Sequence, residues 1–154
     1  MRSDSQDTSA GLRAWAGGIY PLEVGVELLI RTSNGRFAGA GQPWVRSGDD
    51  PGWWWIDVTE MNEANIGVLS CGEARMLRIA ASLLGGAPVD LHTAIPGLDR
   101  DHVQFALAAV AHASGSHEHT GGLVPDPNGR RVGRDRIQMS FERLGTLFPW
   151  PAGG

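Results

Sequence analysis

Apolar residues recur at helical spacing in an early segment of the chain. Four of them fall on one face of a helix: Leu22, Val26, Leu29 and Ile30. Pro21 suits a first helical turn, and Asn34-Gly35 can end the helix. We therefore predict a helix at about residues 21–32. Gly25 and the β-branched valines would also suit a strand with Asn34-Gly35 as its hairpin turn, so that alternative stays open.

Two further segments carry stronger helix signals. Ser70 and Glu73 form an S-x-x-E capping box in front of an apolar stripe, which predicts a helix at about residues 71–84. Asp99 can cap another helix that runs to about Ser114, with five apolar residues facing inward. Those five are Val103, Ala106, Leu107, Val110 and Ala111. We expect these two helices to pack against each other in antiparallel orientation.

Two short apolar runs flank the turn-rich segment SGDDPG. The runs are RFAGAGQPWVR at residues 36–46 and WWWIDV at residues 53–58. Short apolar runs around a polar turn that contains Gly and Pro indicate an antiparallel hairpin. Because an isolated hairpin is only marginally stable, we expect it to lie against the helices.

Outside these elements the chain is polar or irregular. Residues 1–18 are polar and rich in glycine, which predicts a mobile N-terminal arm. Residues 116–136 show no periodicity and indicate a linker, whereas residues 137–154 place apolar side chains at helical spacing and form a C-terminal amphipathic segment. The predicted fold class is therefore α+β. A small single domain at residues 19–115 contains an aromatic-rich antiparallel hairpin packed against two to three helices, with flexible termini.

Composition narrows the classes of function. The chain has 154 residues, a formal charge of −4, and 42% hydrophobic and 19% charged residues, a profile typical of a folded globular domain. All 13 basic residues are arginine, which excludes the lysine-dependent phosphate loop, Schiff base and PLP chemistries. The single Cys71 excludes an internal disulfide. No apolar run approaches the roughly 20 residues of a membrane span, and no secretory signal is evident, so we expect a cytoplasmic protein.

The segment Leu69–Glu73 reads LSCGE and resembles the LSGGE signature with which ABC ATPases close over a nucleotide. That family also needs a phosphate-binding lysine, and Cys71 replaces a glycine whose small size lets the backbone approach phosphate. The sequence therefore favours the capping-box interpretation of Ser70 and Glu73. Cys71 would then lie in a first helical turn, where many reactive thiols are found, which keeps a thiol-dependent enzyme as an alternative.

Three histidines form a candidate metal site: His112, His117 and His119. An H-x-H pair on an extended segment points both rings to one side, and a third imidazole could complete a zinc site. A position near a helix C-terminus also explains His112 through its favourable interaction with the helix dipole. A small metal-dependent enzyme therefore stays an alternative, while our leading prediction includes no cofactor.

The aromatic residues are the best sequence indication of a contact surface. On a strand, Trp53 and Trp55 share one face while Trp54 takes the other, so one face can enter the core and the other can meet a partner. Alternatively, all three cover the helices. We predict a partner-binding set that combines them with the C-terminal aromatic residues. The set is Trp53, Trp54, Trp55, Phe141, Phe148 and Trp150.

An arginine-rich run, RRVGRDR, lies at residues 130–136. It supplies Arg130, Arg131, Arg134 and Arg136. Four guanidinium groups in seven residues can contact phosphates, and such binding would depend strongly on salt. The acidic remainder of the chain favours a solvated linker instead. A nucleic-acid-associated protein that uses this run is therefore kept as an alternative.

Arginine without lysine, many glycines and alanines, and an LS-x-GE-x-R-x-LR-x-AASL helix followed by GLDR are similar to small uncharacterised proteins of high-GC actinobacteria and their phages or plasmids. The resemblance implies no activity. We predict a non-enzymatic protein-interaction module with an accessory or regulatory role, and a gene on a mobile element or phage is one origin that the resemblance implies. Its partner would be another protein or a second copy of the chain, without membrane contact.

Overall fold

The computed structural model describes residues 2–129 and 137–152, with side chains described from residue 7 onward. The chain forms the small single α+β domain that the sequence predicts. The helices are α1 (Arg2–Ala16), α2 (Tyr20–Arg31), α3 (Glu63–Ile66), α4 (Cys71–Gly85), α5 (Leu91–Ala94) and α6 (Arg100–Ala113). The strands are β1 (Val45–Ser47), β2 (Trp54–Ile56), β3 (Thr120–Pro125) and β4 (Met139–Arg143). Single 3-10 turns lie at Val58–Glu60, Ile95–Gly97 and Ser116–Glu118. The segment Thr32–Ala38 contains 3-10 turns interrupted by left-handed backbone at Ser33, Asn34 and Gly35.

Helix α2 lies at the centre of the core and packs against α1, α4 and α6. Its residues Val24, Val26 and Leu29 are fully buried, so the predicted helix is confirmed and the strand alternative is wrong. Gly25 faces α4 so closely that an added Cβ would lie 2.4 Å from Leu84 Cγ. The glycine that weakened the helix prediction is thus the residue that lets α2 and α4 approach each other.

Helices α4 and α6 confirm the two later helix predictions, but each packs mainly on α2 and they touch each other little. Asp99 caps α6 as expected, because its carboxylate accepts a hydrogen bond of 2.8 Å from the backbone N–H of His102. The buried face of α6 consists of alanines: Ala106, Ala108, Ala109 and Ala111. Leu107 and Val110, predicted to face inward, are exposed instead. Small side chains let α6 lie close to α2, Phe105 packs beside them against the core, and Leu107 and Val110 point outward.

The start of α4 is tied to the turn that follows α2. Ser70 does not cap a backbone N–H; its hydroxyl donates to the Glu73 carboxylate at 2.8 Å. The same carboxylate accepts hydrogen bonds from the Ser33 hydroxyl at 2.7 Å and from the Arg36 guanidinium at 3.1 Å. The hydrogen bond from Ser33 is the main reason that the pKa of Glu73 is lowered. Ser70 and Glu73 therefore stabilise the start of α4, as the sequence favours. They do so by binding each other and the preceding turn, not through a bond from the Ser70 hydroxyl to a backbone N–H.

Most of the segment that the sequence predicts as a mobile N-terminal arm, residues 1–18, forms helix α1, which packs on the body. In this helix Thr8, Leu12 and Ala16 are buried. These residues are spaced four apart and form one narrow stripe on the helix. Only one of them is a large apolar residue, so a composition dominated by polar residues conceals the stripe.

The predicted antiparallel hairpin is confirmed as β1 and β2, which pair Val45 with Ile56. It lies against α1, where the Trp54 side chain meets Gly11. Before the hairpin, Trp44 is almost completely buried, and its indole N–H donates to the Phe37 carbonyl at 2.8 Å. The hairpin therefore packs into the core, as expected because a hairpin on its own is only marginally stable.

The predicted linker and C-terminal amphipathic segment contain a second antiparallel hairpin, which we call the ribbon (β3 and β4). The register pairs Leu123 with Phe141 and Pro125 with Met139. Helical spacing in residues 137–154 was therefore the wrong interpretation, because Ile137, Met139 and Phe141 also alternate as residues of a strand do. The ribbon makes few contacts with the other elements that the structure describes, so it projects from the helical body.

Candidate functional site

One face of the ribbon is apolar and open to solvent. It is formed by four side chains, which we call the ribbon face: Leu123, Pro125, Met139 and Phe141. Leu123 and Phe141 are direct cross-strand partners and are 60% and 64% exposed, and Met139 is 47% exposed. Residues i and i+2 of a strand point to the same side, so the four side chains form a continuous patch without charge.

The base of the ribbon is fixed to the end of α6. Ser116 is buried, and its hydroxyl donates to the Ala111 carbonyl at 2.6 Å. The Ser116 oxygen also lies 3.2 Å from the Thr146 hydroxyl and accepts a hydrogen bond of 3.4 Å from the Leu147 backbone N–H. Both ends of the ribbon are thus held on one buried hydroxyl, which sets the direction in which the ribbon leaves the body.

The three consecutive tryptophans divide between core and surface. Trp54 is half-buried against the core, and its indole N–H is buried without a hydrogen-bond partner among the described residues. Trp55 is half-buried opposite Arg46. Trp53 is 54% exposed and rests on Gly48. Trp53 is therefore the most exposed of the three tryptophans. Trp54 covers the helical core, which is the alternative that the sequence left open.

The C-terminal aromatic residues also differ from one another. Trp150 packs against the core, and the Arg31 guanidinium carbon lies 4.8 Å from the centre of its ring. Arg31 also donates to the Pro151 carbonyl at 3.3 Å, which fixes the end of the described chain on α2. Phe148 is exposed. Of the predicted partner-binding set, Phe141 and Phe148 thus lie free on the surface together with Trp53.

The structure brings two of the three candidate metal ligands together. The rings of His112 and His117 stack with their centres 4.3 Å apart, and His112 Nε2 lies 2.6 Å from a Glu23 carboxylate oxygen. Tyr20 packs edge-on against both rings. His119 is exposed just before β3. Within the described part of the chain, no group of three or more His, Cys, Asp or Glu residues is placed to hold a metal ion.

The histidine pair adjoins a pocket of about 370 Å³ between α1, α2, α6 and Trp150. Its charged groups are paired with one another. Glu27 accepts hydrogen bonds from Arg13 and from Arg31, the latter at 2.9 Å. Burial alone would raise the pKa of Glu27, but the two guanidinium groups outweigh it and hold this pKa below its ordinary value. The hydrogen bond with His112 likewise lowers the pKa of Glu23. These ion pairs connect α2 to its neighbours.

The remaining predicted site residues are Cys71 and the arginine run. Cys71 is exposed as the first residue of α4 and has a free thiol. The arginine run, with Arg130, Arg131, Arg134 and Arg136, lies outside the described residues. Its sequence position, between the end of β3 and the start of β4, makes it part of the connection of the ribbon.

The ribbon face includes residues that sequence reasoning missed, namely Leu123, Pro125 and Met139. The alternation of Ile137, Met139 and Phe141 was the available signal for a strand. No known protein family, curated protein or solved structure matches the chain. Across the described residues, none of the helices combines the length and apolar character needed to span a bilayer.

Proposed function

We propose that the protein is a non-enzymatic protein-interaction module that contacts its partner through the ribbon face. The observation that carries this proposal is the pairing of Leu123 with Phe141 on a projecting two-stranded ribbon, with both side chains more than half exposed. A hairpin of two strands needs a further layer over its apolar side to be stable. In the described chain no element packs extensively on this face, so a partner supplies that layer.

The composition of the ribbon face supports a protein as the partner. Aromatic residues and methionine are enriched at protein interfaces, whereas charged residues are depleted from their centres. Phe141 and Met139 provide the aromatic ring and the flexible thioether, and none of the four side chains is charged. The charged Arg143 follows on the same side of β4, at its end, where it can stay in contact with solvent. A contiguous exposed apolar patch on a monomer is often a functional surface.

The proposal predicts a position-specific cross-link. We would place a photoreactive phenylalanine analogue at Phe141 of the full chain, and a matched one at Val68, which is 80% exposed on the helical body. After irradiation in the cells that naturally produce the protein, a discrete protein adduct is expected from position 141 and not from position 68. Equal adducts at the two positions, or none at position 141, would contradict the proposal.

A second candidate is contact with nucleic acid through the arginine run. The run connects the two strands of the ribbon in the sequence, and the major groove of DNA admits a two-stranded ribbon. Binding by four arginines would weaken steeply as salt rises and would survive Phe141→Asp. Binding through the ribbon face would depend weakly on salt and would be lost in that variant, so the two candidates are separable.

A further inference from the structure

The backbone of the ribbon has two outer edges, and hydrogen bonding shows which groups point toward them. The Asp126 N–H donates to the Gln138 carbonyl at 2.8 Å, so these residues form a hydrogen-bonded pair. Hydrogen-bonded and non-hydrogen-bonded pairs alternate along an antiparallel ladder. Met139 and Phe141 therefore belong to non-hydrogen-bonded pairs with β3. Their backbone N–H and C=O groups point away from β3 toward the outer edge of β4.

The two outer edges differ in what they offer a new strand. On β3, Pro125 has no N–H, and the register shifts between Thr120 and Leu123. Proline and irregular register are features that block strand addition. On β4, Met139, Phe141 and Arg143 direct their N–H and C=O groups outward in regular spacing, and no other strand among the described residues bonds them. In the described part of the chain β4 pairs with β3 alone, so its outer edge is open.

From this geometry we infer that the open edge of β4 pairs with β4 of a second copy of the chain. The strands run antiparallel across a two-fold axis and produce a four-stranded sheet. This inference rests on the proposed function and identifies the protein partner as a second copy of the chain. An isologous contact of this kind uses the same residues on both copies, so a single open edge is sufficient to form a closed dimer.

The charge pattern of β4 fits a second copy. With Phe141 opposite Phe141 of the second copy, Met139 lies opposite Arg143 and Ser140 lies opposite Glu142. Like charges directly opposite each other would be destabilising, and this register contains none. Because Phe141 lies opposite Phe141, the ribbon faces of the two copies also point to the same side of the sheet. The two apolar patches join, and the aromatic rings of the two Phe141 residues become neighbours.

The available area sets the strength of this contact. The ribbon face consists of four exposed side chains per copy, against the roughly 20–30 residues on each side of a standard interface. Edge pairing adds backbone hydrogen bonds to this apolar contact. A surface of that size gives a weak dimer, so we expect a monomer–dimer equilibrium that depends on protein concentration.

Sedimentation velocity of the full chain, combined with amide exchange measured by NMR, tests the inference. Between about 1 μM and about 1 mM, the protein is expected to shift from monomer toward dimer. The amides of Met139 and Phe141 should then exchange at least about tenfold more slowly, because edge pairing occupies them. The Ser140 amide, already bonded within the ribbon, should change less. A monomer throughout, or a dimer in which the Met139 and Phe141 amides are unchanged, would overturn the inference.

A matched pair of proline variants separates the two edges. Phe141→Pro and Leu123→Pro each remove one apolar side chain and one outward N–H, the first from β4 and the second from β3. Phe141→Pro is expected to raise the dimer dissociation constant at least about tenfold, and Leu123→Pro less than about threefold. Equal effects would contradict edge pairing. If the chain stays monomeric but position 141 still cross-links to a different protein, the proposed function stands and the second copy is excluded.

Discussion

Leu12→Ala is expected to lower the free energy of unfolding by about 3 kcal/mol, which is within the range for leucine truncation in a packed core. Leu12 is fully buried, so the substitution removes apolar contact and leaves a cavity between α1 and the core. Urea denaturation followed by circular dichroism measures the change.

The control for Leu12→Ala is Leu147→Ala. Leu147 is 72% exposed and outside the core, so its truncation should cost less than about 0.5 kcal/mol. The comparison decides whether the first helix belongs to the folded domain or is the mobile arm that the sequence predicts. Equal, small effects of the two substitutions would show that α1 does not pack as described.

Gly25→Ala is expected to destabilise the protein by about 2 kcal/mol, although alanine is the better helix former. The added Cβ would lie 2.4 Å from Leu84 Cγ, and Leu84 is itself buried. The two helices must therefore move apart or Leu84 must leave its packed position. Thermal unfolding and urea denaturation report the loss.

The matched control for Gly25→Ala is Gly72→Ala in helix α4. There the nearest atom to an added Cβ is His102 Nδ1 at 3.4 Å, which is ordinary contact distance. Without a clash, the gain in helix propensity leaves the stability unchanged or up to about 1 kcal/mol higher. A stabilising effect at Gly25 would mean that α2 and α4 are not in the close contact described here.

The elements that could be predicted from the sequence are those determined by local signals. Helix α4 follows Ser70, has Glu73 in its first turn and carries a continuous apolar stripe. The residue after its end is Gly86, whose φ of 72° suits glycine. Helix α6 has its cap at Asp99. In both helices every signal lies within a few residues of the structure that it determines, so no knowledge of the rest of the fold is required.

Elements that depend on distant partners could not be predicted in the same way. The strand character of Phe141 depends on pairing with Leu123, and the sequence alone supplied a helical spacing that competes with it. Close approach of α2 likewise explains why α6 buries alanines rather than Val110. These features follow from which elements meet in space, which periodicity does not record.

The candidate site was predicted in part. The sequence predicts Phe141 and Phe148 as contact residues, and both are exposed in the structure, as contact with a partner requires. Trp54 was included because tryptophans are frequent in interfaces, but it packs against Gly11 of the first helix. Leu123 lies in the predicted linker, because residues 116–136 show no periodicity and are rich in proline, glycine and charge. The ribbon face combines residues from both sides of that linker, so no single window of the sequence contains it.

Amide hydrogen exchange of the dilute protein shows whether the ribbon forms and whether the outer edge of β4 is open, because it reports the ribbon residue by residue. We expect alternation along β4: the Ser140 amide, which bonds within the ribbon, exchanges slowly, whereas the amides of Met139 and Phe141 exchange at least about tenfold faster. The amide of Val124 on β3 should be protected like that of Ser140. Uniformly fast exchange at these four residues would contradict the ribbon, and uniformly slow exchange would contradict an open β4 edge.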